Sequence, residues 1–211
     1  MTWSTGRPRL LRSLTLATVA GLAVTAGGIA TAGAASASSN LTVQYKVTGH
    51  TLIKSVNTTA SLGPGTLKTT VSLTSGSISA SLTLPPASVS FKEAGLVPVS
   101  ATTEFVQDGP TTGKLNLNTG AVATTSKIIL KLTRMAVGGV PVPVPGSCQT
   151  APATIKLNSL KGFSVVNGGN LAGTYTIPRF AGCGLLTPAL NLTIPGSGNT
   201  IALKLGPGKR V

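Results

Sequence analysis

Few side chains in this chain of 211 residues can do chemistry. There is one histidine, His50. There are three acids, Glu93, Glu104 and Asp108, and two cysteines, Cys148 and Cys183. A nucleophilic triad needs a base and an orienting acid beside a serine or cysteine. His50 is the sole candidate base, it sits beside Gly49 where a turn is expected, and no Gly-x-Ser-x-Gly elbow occurs. A glycosidase needs two carboxylates of unequal pKa across a cleft. The three acids could supply such a pair, but each has a plainer place: Glu93 in a loop, Glu104 opposite a lysine of a neighbouring strand, Asp108 in the turn before Gly109. No phosphate loop or dinucleotide fingerprint is present. The expectation is a protein without catalytic residues and without a cofactor.

The cysteines have two chemistries open to them. A metal site takes four ligands, usually cysteine or histidine, and the chain offers two cysteines and one histidine. In an exported chain an even pair forms a disulfide most simply. Cys148–Cys183 is therefore expected to be a disulfide, worth roughly 3–4 kcal/mol through the constrained unfolded chain.

Export is read from the N-terminus. Arg7, Arg9 and Arg12 form a basic head without an acid. A run of apolar and small residues follows over 14–35, with Ala-x-Ala steps at Ala30, Ala32 and Ala35. That order is a secretory signal peptide, cleaved near Ala35 or Ala37. An uncleaved anchor is the alternative; threonines and glycines interrupt the run, and the cleavage-like site ends it. The expected organisation is a signal peptide, 1–37, and one domain, 38–211. The protein is then secreted, at or outside the cell envelope, with no membrane segment left after cleavage.

The whole chain carries a formal charge of +14; without the three signal arginines it is about +11. So basic a surface favours anionic partners: wall polymers, lipid headgroups or nucleic acid. The cations are spread out and also serve solubility. Nucleic-acid recognition would want aromatics among the cations as stacking platforms, and here the aromatics lie in apolar alternation, so no specific nucleic acid is expected.

The elements that would position these groups are strands. Residues 41–47 alternate apolar and polar with period two, as a half-buried strand does. A less regular strand over 52–60 is expected to break at Gly63-Pro64-Gly65. Residues 71–79 read as a hairpin about Ser75-Gly76, ended after Leu84 by Pro85-Pro86, which cannot donate to a ladder. A connection over 91–97, with one helical turn at Lys92-Glu93-Ala94, leads to a strand over 100–106 and a turn over 107–110. A hairpin follows about Asn118-Thr119-Gly120, joining 115–117 to 121–132. Pro141, Pro143 and Pro145 make 138–146 an edge or an extended crossover. Then come a strand over 154–157, a hairpin of 163–165 with 171–177, a loop over 178–188, a hairpin of 190–194 with 200–205, and a frayed tail. Val71-x-Leu73-x-x-Gly76-x-Ile78 is echoed by Leu115-x-Leu117-x-x-Gly120-x-Val122. The spacing of the copies is not constant, so this is no solenoid.

Short alternating strands with frequent turns predict an all-β fold: an antiparallel β-sandwich or barrel of about 8–10 strands, built from consecutive hairpins, with very little helix outside the signal peptide. The dry face is aliphatic and the wet face is Thr, Ser, Asn and Lys. Two functions from different classes fit. One is a structural or binding domain that uses its basic, Thr-rich surface at the envelope. The other is a carrier holding a lipid or other apolar ligand inside the barrel or sandwich.

The stretch 94–132, followed by Gly138-Gly139-Val140-Pro141-Val142-Pro143 and Cys148, and later Gly173-Thr174-Tyr175-Thr176-Ile177-Pro178, Cys183-Gly184-Leu185 and Thr187-Pro188, resembles a group of exported actinobacterial β-rich proteins of unassigned function. The likeness covers most of 38–211 and rests on turns, prolines and cysteines. It implies a β-rich fold and export across a high-GC Gram-positive membrane, and it implies no role for any side chain.

Overall fold

A computed structural model describes residues 39–93 and 95–211; the expected signal peptide lies outside the described residues. In chain order the strands are β1 (Asn40–Ile53), β2 (Thr58–Ser72), β3 (Ser77–Thr83), β4 (Ala87–Glu93), β5 (Val97–Gln107), β6 (Thr111–Leu115) and β7 (Val122–Val137). The second half has β8 (Val140–Val142), β9 (Gln149–Thr150), β10 (Ala153–Ser159), β11 (Gly169–Ile177) and β12 (Phe180–Ala181). One helix, α1 (Thr187–Thr193), precedes β13 (Gly196–Leu205) and β14 (Lys209–Arg210).

The fold is an antiparallel barrel. Strands pair in the order β1-β2-β3-β6-β7-β10-β11-β13, and β13 pairs back with β1 to close the ring of eight. Closure removes the exposed edges that an open sheet would offer. Alternation fixes which residues face inward: Val43, Tyr45 and Val47 on β1, Ile155 and Leu157 on β10, and Ile201, Leu203 and Leu205 on β13 are all buried. Between them Gln44, Lys46, Lys156 and Lys204 are exposed. An apolar inside and a polar outside are the inverse of a barrel embedded in lipid, which turns its apolar face outward. An eight-stranded ring is just wide enough for such side chains to fill.

One end of the ring is extended. The long strand β7 pairs with β6 and β10 through residues 122–128. It then runs on past the ring, pairing with β5 through Val137. β5 and β6 thus follow one edge of β7 in succession, separated only by the turn at 108–110. β4 pairs along the far side of β5. β3 cannot follow both: it pairs with β6 only through Ala80. The Gln107 amide bridges the opening that results. Its Oε1 accepts from the Leu82 N–H at 2.7 Å, and its Nε2 donates to the Ala80 carbonyl at 3.0 Å.

Several expectations are corrected. β1 and β2 are each continuous through the positions read as a turn at His50 and a break at Gly63-Pro64-Gly65. A bulge absorbs the extra residue, with Val47 opposite Gly65 and Gly49 opposite Leu62. Gly63 takes φ +84°, and a Cβ there would lie 2.4 Å from the Val47 carbonyl oxygen, so glycine lets the two strands stay paired. The connection over 91–97 is the tip of the β4–β5 hairpin, because Ala87, Val89 and Phe91 alternate inward. Residues 163–165 form no strand; β10 supplies the partner of β11. The tail is tied down: β14 pairs with Val43 and Gln44 of β1. The expected strand over 190–194 is α1. Leu186, Leu190 and Ile194 are four residues apart and all pack on the core, which is helical spacing, and Pro188 stands in its first turn.

The disulfide is as read. Cys148 and Cys183 are bonded and fully buried. The bond joins the loop after the proline segment to the one leading into α1. Around it, the Leu132 N–H donates to the Cys148 carbonyl at 2.9 Å, and the Ser147 hydroxyl donates to Gly182 O at 2.8 Å.

Candidate ligand-binding site

The groups that could have formed a catalytic or metal site stay apart. His50 is exposed on β1, paired with Ser61 and Ala202. Glu104 stands across from Lys131 in the β5–β7 register. Asp108 opens the turn before Gly109, its N–H donating to Lys127 O at 2.9 Å. Glu93 ends β4. Among the described residues no three of His, Cys, Asp and Glu gather to hold a metal ion.

What the fold does assemble is an apolar lumen. Three voids follow one another along it. The lowest, about 60 Å³, lies among Val71, Ile78, Leu115 and Leu157. The middle one, about 40 Å³, shares Leu82 and Leu203 with the first. The upper one, about 70 Å³, shares Thr51, Phe105, Leu130 and Tyr175 with the middle one. Each void is the space left where side chains from opposite walls do not quite meet.

Above them is the mouth. A fourth cavity of about 350 Å³ lies between α1 and the overhanging part of β4, β5 and β7. It is lined by apolar side chains, with Thr193 the one polar residue of its wall. It shares Phe91, Val99, Met135, Leu190 and Ile194 with the upper void, so one layer of side chains separates the two. α1 crosses the opening and is held on both sides. The Asn191 side chain accepts from the Phe180 N–H at 2.7 Å and donates to the Phe180 carbonyl at 2.8 Å. Three residues on, at the C-terminus of α1, the Ser55 hydroxyl donates to Ile194 O at 2.9 Å. Leu190, on the inner face of α1, is buried and plugs the ring.

A few polar groups face the lumen. The Thr51 and Tyr175 hydroxyls are 2.7 Å apart between the middle and upper voids. The Thr111 and Ser126 hydroxyls are 2.6 Å apart at the lowest void. Thr69 Oγ1, on the same wall, is buried and has no hydrogen-bond partner. Burial raises the pKa of both tyrosines, Tyr45 and Tyr175. An arrangement of this kind can exclude water from an apolar chain and offer hydroxyls to a polar group at two depths.

The mouth was not legible as a site in the sequence, because 190–194 alternates like a strand. The signal available was the spacing of Leu186, Leu190 and Ile194 behind Pro188. In comparisons with family models, with curated proteins and with solved structures, nothing matches this chain.

Proposed function

We propose that this protein is an exported, non-catalytic carrier that binds a single-chain amphiphile, with the apolar tail held at the barrel mouth. The observation behind this reading is the cavity of about 350 Å³ under α1, apolar-lined and separated from the lumen by one layer of side chains. Its size lies in the range of pockets that bury small ligands. The voids below are each far smaller than a lipid tail, so the cargo rests in the mouth and reaches deeper only as Met135, Leu190 and Phe91 change rotamer. Lys92 on β4 and Arg134 on β7 are exposed on the outer face of the strands whose inner face lines the mouth, and Arg179 is exposed just before β12, which favours an anionic head over a neutral one. Long-chain fatty acids meet both requirements.

Uptake of a fluorescent fatty acid by the delipidated protein tests this. Saturable binding is expected, lost in Leu190→Trp, which fills the mouth, and retained in Leu73→Ser at the far end. A folded wild-type protein that takes up no fatty acid of any chain length overturns the reading.

The outer face supports a second reading, an envelope domain held by anionic wall polymers. Lys46, Lys68, Lys127, Lys156 and Lys204 are all exposed around the barrel, while Glu104 and Asp108 are the only acids in the chain besides Glu93. Such binding weakens steeply with salt. Retention on anionic wall material at low salt, released by salt and indifferent to Leu190→Trp, would favour it over the carrier.

A further inference from the structure

The end of the barrel that carries the mouth also carries the three most exposed large apolar side chains among the described residues, Leu185, Leu192 and Leu96, with Val140 beside them. Leu96 is 82 % exposed, Leu185 99 %, Leu192 90 % and Val140 65 %. They come from different parts of the chain but share one rim. Leu96 is in the β4–β5 tip beside Val97, which lines the mouth together with Val137 and Leu192. Val140 pairs with Val137 in the β7–β8 hairpin. Leu185 precedes Leu186 of the mouth wall. Leu192 is on the face of α1 opposite the buried Leu190. At the far end Val166 is 70 % and Val211 61 % exposed, and Leu73, Leu117 and Leu160 are about half covered by the fold, so no side chain there is as bare as Leu96, Leu185 or Leu192. Large apolar side chains this exposed, drawn together from two hairpins, the turn before α1 and α1 itself, mark an interaction surface.

The charge around the rim selects the partner. Lys92 near the β4–β5 tip, Arg134 on the overhanging part of β7 and Arg179 just before β12 are all exposed; of the acids, Glu93 ends β4 and Glu104 on β5 stands across from Lys131. A second copy would bring the same cations against its own and be repelled. An anionic bilayer surface accepts both parts: leucines enter the interfacial region, and cations meet the headgroups. We infer that the protein docks mouth-first on anionic membrane surfaces, inserting Leu96, Leu185 and Leu192 at the headgroup level. Docking so oriented would put the mouth cavity against the lipid from which an amphiphile could be drawn. The docking itself does not depend on the cargo.

Sedimentation of the mature protein with vesicles of phosphatidylcholine, with and without phosphatidylglycerol, tests this. Binding is expected only with phosphatidylglycerol. Lys92→Gln, Arg134→Gln and Arg179→Gln together should weaken it about 100-fold, at roughly fivefold per cation. Leu96→Ser with Leu185→Ser, neither of which lines the mouth cavity, should weaken it by about tenfold or more while fatty-acid uptake is unchanged. Leu190→Trp should block uptake and leave docking intact, so the two readings fail separately. The proposal is overturned if wild type ignores phosphatidylglycerol, if the leucine pair has no effect and charge alone accounts for binding, or if sedimentation without lipid shows dimers that the leucine pair dissolves.

Discussion

The hydroxyls of Thr51 and Tyr175 lie 2.7 Å apart inside the barrel, joining β1 to β11 across the intervening β13. Thr51 also donates to the Thr200 carbonyl of β13 at 2.9 Å, which leaves Tyr175 as the donor to Thr51. The pair is a polar partition in an apolar lumen, placed between two voids.

Alkaline stability should report this burial. The pKa values of Tyr45 and Tyr175 are both raised above the ordinary value near 10, chiefly by desolvation. The unfolded chain releases these protons first. The stability held by the neutral phenols is therefore complete below about pH 10 and is lost as pH rises through the folded values. Thermal midpoints followed from pH 8 to 12 should fall less steeply in Tyr45→Phe and in Tyr175→Phe than in wild type. As these are the only tyrosines in the chain, tyrosinate absorbance can be assigned from the two variants.

Gln107→Leu should destabilise by about 2 kcal/mol, since it leaves the Leu82 N–H and the Ala80 carbonyl unpaired where β3 parts from its neighbour. Denaturant midpoints measure the loss. Faster amide exchange at Leu82 would locate it at the opening between β3 and β5.

Removing the disulfide with Cys148→Ser and Cys183→Ser should cost about 4 kcal/mol for a separation of 35 residues in the chain-entropy description. In oxidised wild-type protein, alkylating reagents should label neither cysteine. The double variant should also be cut more readily by protease in the segment between β12 and α1, which the disulfide and Asn191 both restrain.

Thr69→Val should stabilise by about 1 kcal/mol. It replaces a buried, unpartnered hydroxyl with a methyl group of nearly the same shape, and the wall of the lowest void is otherwise largely aliphatic. A denaturation midpoint equal to or below that of wild type would contradict this account.

The echo of Val71–Ile78 in Leu115–Val122 shows how much was local. Both are hairpins with a glycine at positive φ, Gly76 and Gly120. The β3–β6 pairing sets them side by side, with the Leu115 N–H donating to Gly76 O at 2.7 Å. The alternation placed Val71, Ile78, Leu115 and Val122 inward, as they are, but Leu73 and Leu117 lie half-exposed beyond the strand ends, and the pattern carried nothing about that adjacency.

Composition and period determined the class of fold, the aliphatic interior, the basic outer face and the scarcity of groups for chemistry, because these depend on residue types and on neighbours two apart. The cysteine count determined the disulfide pairing, since only one is available. Tertiary structure decided between sandwich and barrel: closure rests on β7 meeting both β6 and β10, and on β13 meeting β1, contacts between residues far apart in sequence. It also decided α1. The residues 190–194 alternate well enough for a strand, and their helical state follows from a core surface that takes Leu186, Leu190 and Ile194 together and leaves Leu192 outside. The mouth cavity and its rim of leucines follow from that same packing.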